Sequence, residues 1–464
     1  MEVEKGVGNR QELPSWRGKR LTVIGAGVSG RELALLGAHL GADVFVSERG
    51  KISDDVRALF EGHGIAWEAE GHTEKAFLGA DAFILSSGIP PKAEVILEAR
   101  RRGIPLIGEL DFVAPFLSGL QIGVTGSNGK STVTSLIGHT LARAGRKVGT
   151  GGNLGTAAAS FAQGGLDAVV LELSSFQLTW ATQLHLSIAV VTNLAPDHID
   201  WHGSYEAYVA AKAKILALRA PDGWAIVQDR DVDALEAKDA ERVIALSWGQ
   251  GPKHETAGRI SMGAEEATLI LPTRTRLLFR YAETSLLGDH NLENVAMALA
   301  AMDLLHVDVP AATLLEGFSP LPHRCEDAGI LDDVLYVDDS KGTNVAASVT
   351  AMTSLKGRKV VILGGRGKGE DYALLAETVA READAAVVMG EEASAIARAL
   401  DGVGYAAVHE AKDMAEAVAL ARGAARPGMM VLLSPACTSW DMYDDYGQRG
   451  DHFRAIVRGL REGT

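Results

Sequence analysis

One stretch limits what this chain can fold into: Val124-Thr125-Gly126-Ser127-Asn128-Gly129-Lys130-Ser131-Thr132. The run Leu120 to Val124 before it is apolar and reads as a buried strand. After it, Val133, Leu136, Ile137, Thr140 and Leu141 recur at helical spacing. Strand, glycine-rich turn, Gly-Lys-Ser and helix form the context of a phosphate-binding loop, which requires an α/β layer structure. Gly126, Ser127, Asn128 and Gly129 would line the phosphates with backbone N–H groups, helped by the helix N-terminus. Lys130 would neutralise β/γ-phosphate charge, and the Ser131 hydroxyl, followed by Thr132, would face Mg²⁺. The common form has a glycine where Val124 stands, so this is a shorter variant.

At 464 residues the chain is long enough for two to four domains. A net charge of −15 argues against a nucleic-acid surface, because phosphate backbones select basic patches. It leaves room for small anions, which need local positive groups. Two distant cysteines, Cys325 and Cys437, fit a reducing compartment without a disulfide framework. Met1 to Trp16 lacks an apolar signal core, and no apolar run is long enough to span a bilayer. A cytoplasmic protein is the expectation.

The first stretch reads as a nucleotide-type α/β unit. Leu21–Ile24 is a strand, Gly25-Ala-Gly27-Val-Ser-Gly30 opens a helix, and Asp43–Ser47 is a second strand ending at Glu48. That acidic position often meets a ribose. The glycines equally serve turn geometry and packing, so a dinucleotide, another nucleotide and packing alone all stay open. The strand Ala82–Leu85 ends in Ser86-Ser87-Gly88, a plausible ligand contact.

In the region from about Pro115, Gly149 to Gly155, with Asn153, reads as a loop open to ligand approach. Ala168–Leu171 is a strand ending at Glu172, with Ser174 and Gln177 just beyond. A carboxylate at that edge can hold Mg²⁺ directly or through water. Ser187–Val191 runs into Thr192-Asn193, Asp197, His198 and Asp200, a second cluster of oxygen and imidazole groups. On the helix that follows, Tyr205, Tyr208, Val209, Lys212, Ile215 and Leu216 share one face. Lys212 either snorkels to water or is desolvated enough that its pKa falls and the amine becomes reactive. Gln250 to Glu283 reads as a hairpin. A long helix to Leu305 follows, capped by Asp289 or Asn291, with Asn294 one turn in. From Leu321 a βαβ rhythm with strands at Val334–Asp338, Lys359–Leu363 and Met430–Leu433 indicates another mostly parallel sheet.

The segments TGSNGKST, GGNLG, ELSSFQL, NLAPDHIDWH, YVAAKAKI, GDHNLENVAMA, LPHRCE, DDSKGTNVAAS and SPACTSWDMYDDYGQRG span nearly the whole chain in order. Together they resemble the Mur ligases, and ELSSFQL with the SPAC segment resembles the glutamate-adding branch. The resemblance implies an α/β fold of three domains, each with a mostly parallel sheet. Residues 1–112 would form a Rossmann-like uridine-nucleotide domain, 113–320 a P-loop ATPase-like ATP/Mg²⁺ domain, and 321–464 a Rossmann-like amino-acid domain. It implies an ATP-dependent ligase that adds D-glutamate to UDP-N-acetylmuramoyl-L-alanine through an acyl phosphate, acting as a monomer on small molecules. Gly126 to Thr132 then resemble the ATP loop, and Asn294, Arg324 and Asp339 further ATP contacts. Ser131, Glu172, His198 and a carbamylated Lys212 resemble the ligands of two Mg²⁺ ions. Glu48, Ser86 and Gly88 resemble uridine-site positions, and Asn153, Ser174 and Gln177 muramoyl contacts. His323, Lys341, Thr343, Lys368, Ser439 and Tyr446 resemble groups around the reacting centre and the glutamate carboxylates; Lys130, His198, Lys212, His323 and Lys341 would be catalytic. Arg366 and Tyr446 depart from residues found in some members. Competing expectations are a sibling ligase or folylpolyglutamate synthase, the same chemistry with L-glutamate, an NAD(P)-dependent oxidoreductase built on GAGVSG, and a nucleotide-binding module without catalysis.

Overall fold

The computed structural model describes residues 14–237, 241–249, 251, 253–319 and 322–462. Gln250, Leu321 and Met1 to Leu13 lie outside them, as does the side chain of Asp200.

Strands that are apolar on both faces demand helices on both sides, and the chain builds three such sheets. The first comprises β1 (Arg20–Ile24), β2 (Asp43–Ser47), β3 (Ala66–Glu68), β4 (Ala82–Leu85) and β5 (Leu106–Gly108). It is parallel throughout, in the order β3-β2-β1-β4-β5. Strand order reverses beside β1, so the turns after β1 and β4 face each other across a crevice. Glycine is required in the first turn for packing: a Cβ on Gly30 would lie 2.0 Å from the Gly25 carbonyl oxygen.

The second sheet has nine strands. They are β6 (Leu120–Thr125), β7 (Val148–Gly152), β8 (Ala168–Glu172), β9 (Leu186–Val191), β10 (Arg219–Gln228), β11 (Val243–Trp248), β12 (Gly258–Met262), β13 (Glu266–Leu271) and β14 (Arg274–Arg280). Their order is β14-β13-β12-β11-β10-β9-β6-β8-β7. The strand before the phosphate loop, β6, lies between β9 and β8, parallel to both. Three strand ends bearing polar loops are thereby brought side by side.

Two expectations are corrected here. Gly149 to Gly152 belong to β7, not to a loop, and only Asn153 to Gly155 lie beyond the strand. The glycines admit close neighbours: Cβ atoms on Gly149 and Gly151 would lie 2.7 Å from Phe161 Cδ1 and 2.2 Å from the Thr156 carbonyl oxygen. The segment before Glu283 is a run of three strands, β12 to β14, rather than one hairpin; β12 extends the sheet parallel to β11 before the antiparallel turn to β13.

Contacts gather the chain into two units. One holds the residues up to Phe279 together with Met297–Leu314, and the other holds Arg280–Ala296 and the chain from Leu315. The first two sheets share a unit because one buried cluster joins them, running from Leu21 and Val46 through Phe112 and Val113 to Leu171 and Val191. The Asp289–Leu304 helix contributes to both units. Asn291 lies inside that helix and does not cap it, because its carboxamide donates to the Leu287 carbonyl and accepts from Asn294.

The second unit carries β15 (Glu326–Leu331), β16 (Val334–Asp338), β17 (Lys359–Gly364), β18 (Ala385–Met389), β19 (Val408–Glu410) and β20 (Met430–Leu433). Their order is β15-β16-β20-β17-β18-β19, parallel except for the β15 edge. The ends of β16, β20 and β17 are again adjacent.

Gly30→Ala should lower the urea midpoint of the first unit's transition, at a cost of about 1–3 kcal/mol for the backbone shift it forces. An unchanged midpoint would show that this glycine serves a ligand and not packing.

Candidate active site

The phosphate loop holds its shape because glycine tolerates what it asks. Gly126 has φ 143° and Gly129 has φ 81°, both on the positive side that side chains disfavour. A Cβ on Gly126 would lie 1.9 Å from Thr192 Oγ1. The end of β9 braces the loop. The Thr192 hydroxyl and Asn193 Nδ2 both donate to the Asn128 carbonyl, Asn128 N–H donates to Asn193 Oδ1 at 2.9 Å, and Ser127 N–H donates to the Asn193 carbonyl at 2.9 Å. The amides of Ser127 and Asn128 are thus bonded to Asn193, whereas the first-turn amides of the Lys130–Arg143 helix have no intrahelical acceptor. The Ser127 hydroxyl is turned inward, 2.9 Å from Tyr208 Oη.

Two ammonium groups meet below the loop. Lys130 Nζ donates to the carbonyls of Gly126 and Ser127, each at 2.9 Å. Lys212 Nζ donates to the same Gly126 carbonyl at 2.7 Å and lies 4.7 Å from the centre of the Tyr208 ring. The Tyr205–Ala217 helix carries Lys212, and the Ser204 hydroxyl caps it by accepting from Ala207 N–H. Lys212 is 2 % exposed, which excludes snorkelling. Burial, reinforced by the positive charge of Lys130, pushes its pKa well below the usual lysine range, against the opposing pull of Asp197 and Glu172. Glu172, at the end of β8, is itself buried; one oxygen accepts from Asn153 Nδ2 at 2.7 Å, and Oε2 has no hydrogen-bond partner among the described residues. His198 is exposed, with Nε2 3.5 Å from Asp197 Oδ2 and its ring 4.8 Å from that of Phe176.

Ser174 and Gln177 form a reciprocal capping box at the start of the Ser175–Trp180 helix. Gln177 Nε2 also donates to Glu109 Oε2 at 3.2 Å, and the Ser87 hydroxyl donates to the same carboxyl. Glu109 was not singled out in the sequence; its signal is a carboxyl, with Asp111 two residues on, inside an otherwise apolar run, and burial pushes its pKa up. Trp201 Nε1 donates to the Gly88 carbonyl at 3.3 Å, so the turn after β4 reaches the His198 segment. Glu48 accepts from Ala26 N–H and Gly50 N–H, both at 2.7 Å, and thus fills the glycine turn with its own carboxylate. The buried Ser86 hydroxyl donates to the Ile24 carbonyl.

In the second unit, His323 Nδ1 lies 2.7 Å from Asp338 Oδ2, and this bond raises the His323 pKa. Asp339 accepts from Ser434 Oγ at 2.6 Å and from Cys325 N–H, and burial pushes its pKa up to about 7 despite those bonds and the nearby Arg324. Lys341 Nζ sits 3.7 Å from the centre of the Tyr446 ring, and Lys341 N–H donates to the His323 carbonyl. Thr343 N–H donates to the Lys341 carbonyl, and buried Ser439 follows β20. Lys368 is exposed beyond β17, whereas Arg366 is engaged with both oxygens of Glu391. Asn294 is buried against Asn291.

A glycine-lysine-serine loop and a buried carboxylate at adjacent strand ends, with a buried lysine on a helix beneath them, define a nucleotide-phosphate site on an α/β scaffold of three sheets. The Mur ligase middle domain matches residues 124–302, the Mur ligase glutamate ligase domain residues 323–437, and the MurD N-terminal domain residues 20–95. The UDP-N-acetylmuramoylalanine--D-glutamate ligase of Acidobacterium capsulatum is 37% identical over 458 residues, covering 96% of this chain and 97% of that protein. The enzyme of the same name from Pelotomaculum thermopropionicum is 35% identical over 456 residues, 97% of this chain and all of that protein. The MurF ligase of Thermotoga maritima, solved in complex with ADP, shares the fold at TM-score 0.58 and 16% identity, over 91% of this chain and 96% of that one. The chain belongs to the Mur ligase family. Membership removes the oxidoreductase reading of GAGVSG.

Replacing Lys212 by methionine tests its burial. In the unfolded chain the amine is charged below about pH 10.4. In the folded chain its pKa is lowered, so the unfolded state binds more protons and folding is penalised below that value. Lys212→Met should therefore stabilise the protein at neutral pH, by a margin that shrinks as pH rises toward about 10. Urea unfolding between neutral and alkaline pH checks this; a margin that grows with pH would contradict it.

Proposed function

We propose that this protein is an ATP-dependent amide ligase that joins D-glutamate to UDP-N-acetylmuramoyl-L-alanine in peptidoglycan precursor synthesis. It acts as a monomer in the cytoplasm. In this reading residues 1–112 hold the uridine nucleotide, 113–320 hold ATP and Mg²⁺, and 321–464 hold the amino acid. The observation that carries it is the convergence of Lys130 and Lys212 on one loop carbonyl beside a buried carboxylate, in a chain whose full-length relatives bear this activity in their names.

The residues fit Mg²⁺. Glu172 Oε2 is a buried oxygen without a hydrogen-bond partner, and hard cations select oxygen donors. Ser131, Glu172, His198 and a carbamate on Lys212 would hold two ions, which supply charge neutralisation for ATP beside a second anion. The low pKa of Lys212 favours the neutral amine, the species that adds CO₂ through its lone pair with loss of one proton. Carbamylation converts a buried cation into an anion suited to a metal.

The substrate carboxylate attacks the γ-phosphorus of ATP; a P–O bond forms, the β,γ-bridging bond breaks, and ADP leaves. The neutral glutamate amine then attacks the acyl carbon; a C–N bond forms, the acyl C–O bond to the phosphate oxygen breaks, and phosphate departs carrying the proton the amine gives up. The protein's part is positioning and charge. Lys130 leaves the loop carbonyls to meet phosphate oxygens. Lys341, propped on the Tyr446 ring, and Lys368, exposed on the next loop, supply cations for the glutamate carboxylates. His323, fixed by Asp338, borders the same loops.

Phosphate release with ATP, UDP-N-acetylmuramoyl-L-alanine and each glutamate enantiomer tests the reading. Release should require the D-enantiomer, and release with L-glutamate alone would sink it. Lys130→Ala should reduce ADP formation and amide synthesis together, at least about a hundredfold. Lys212→Ala should be partly rescued by short carboxylates added to the assay; rescue by ammonium compounds instead would show a cationic role.

A further inference from the structure

The SPACTSWDMYDDYGQRG segment contains one buried charged group, Arg449, in the first turns of the Tyr446–Glu462 helix. Its side chain is 2 % exposed. Nε donates to Ser340 Oγ at 3.0 Å and Nη2 to the Ser340 carbonyl at 2.9 Å. Nη2 also donates to the Cys437 carbonyl at 3.0 Å, and Nη1 to the Thr438 carbonyl at 3.1 Å. Thr438 in turn exchanges backbone hydrogen bonds with Arg366, each at 2.9 Å. Gly365 lacks a side chain where one would crowd this arrangement: its Cβ would lie 2.2 Å from the Thr438 carbonyl oxygen and 3.0 Å from Arg449 Nη1.

One guanidinium thus ties the loop after β16 to the loop after β20, and through Thr438 the loop after β17 is linked to both. Lys341 is next to Ser340, Ser439 is next to Thr438, and Lys368 lies two residues beyond Arg366. We propose that Arg449 is a positioning residue for the amino-acid pocket, holding these three loops in register and adding a buried positive charge that favours a dicarboxylate amino acid. This rests on the reading of residues 321–464 as the amino-acid site. The planar fork matters, because its donors reach oxygens on two loops at once; a lysine ammonium offers three donors from one point, and methionine none. Burial lowers the Arg449 pKa to about 10, which leaves it charged at neutral pH. The acceptors in these bonds are carbonyl and hydroxyl oxygens, so they do not cancel that charge.

The test compares wild type with Arg449→Met, Arg449→Lys and Arg449→Ala by phosphate release. In Arg449→Met the KM for D-glutamate should rise at least about tenfold while the KM for ATP stays within about twofold. Arg449→Lys, which keeps the charge and is the safeguard if the methionine variant does not fold, should show a smaller rise with the same selectivity. Low-millimolar guanidinium, and not ammonium, should lower the raised glutamate KM of Arg449→Ala. A wild-type glutamate KM in the folded variants, or equal rises for ATP and glutamate, overturns the proposal while leaving the ligase reading intact. Absence of D-glutamate-dependent release by wild type overturns both.

Discussion

Two ammonium groups converge on a single carbonyl oxygen, that of Gly126, and the rest of the central site depends on this contact. Lys130 can leave it for a phosphate, because it sits at the mouth of the helix that follows the loop. Lys212 is buried beneath the loop, beside the Tyr208 ring. Holding two cations so close, one of them buried, is unfavourable unless one gives up its proton. Burial and the neighbouring Lys130 charge therefore lower the Lys212 pKa and shift the balance toward the neutral amine. The Tyr205–Ala217 helix carries that amine, and Thr192 and Asn193 brace the loop by donating to the carbonyl of Asn128, two residues beyond Gly126.

The same architecture recurs three times. In each sheet the polar residues lie beyond the carboxyl ends of neighbouring parallel strands, where helix N-termini and open backbone gather. Each site is tuned differently. The first turn is filled by the carboxylate of Glu48. The second is organised by lysines. The third is held by Arg449 and by the Asp338–His323 pair, over which a side chain at Gly450 would collide, its Cβ falling 2.1 Å from His323 Nδ1.

Much of this was legible in the sequence because buried parallel strands are short apolar runs. Those at Leu21, Ala82, Ala168, Val334 and Met430 announce themselves and point to the polar residues at their ends. The face of the Tyr205–Ala217 helix was equally readable from spacing, and structure decided between the two fates of Lys212. What was not legible depends on neighbours distant in the chain. Glycines in β7 look like a loop until Phe161 is placed against them. The amides of Ser127 and Asn128 look available until Asn193, 65 residues beyond Asn128, takes them. Glu109 and Arg449 give no local signal of their partners, since those partners come from other loops.

The central proposal is that Lys212, buried beneath the phosphate loop with a lowered pKa, takes up CO₂ as a carbamate. Carbon-13 NMR of the protein equilibrated with ¹³C-bicarbonate measures it directly. A carbamate resonance should appear in wild type, be missing in Lys212→Met, and disappear on acidification. A wild-type spectrum matching that of Lys212→Met would contradict the account.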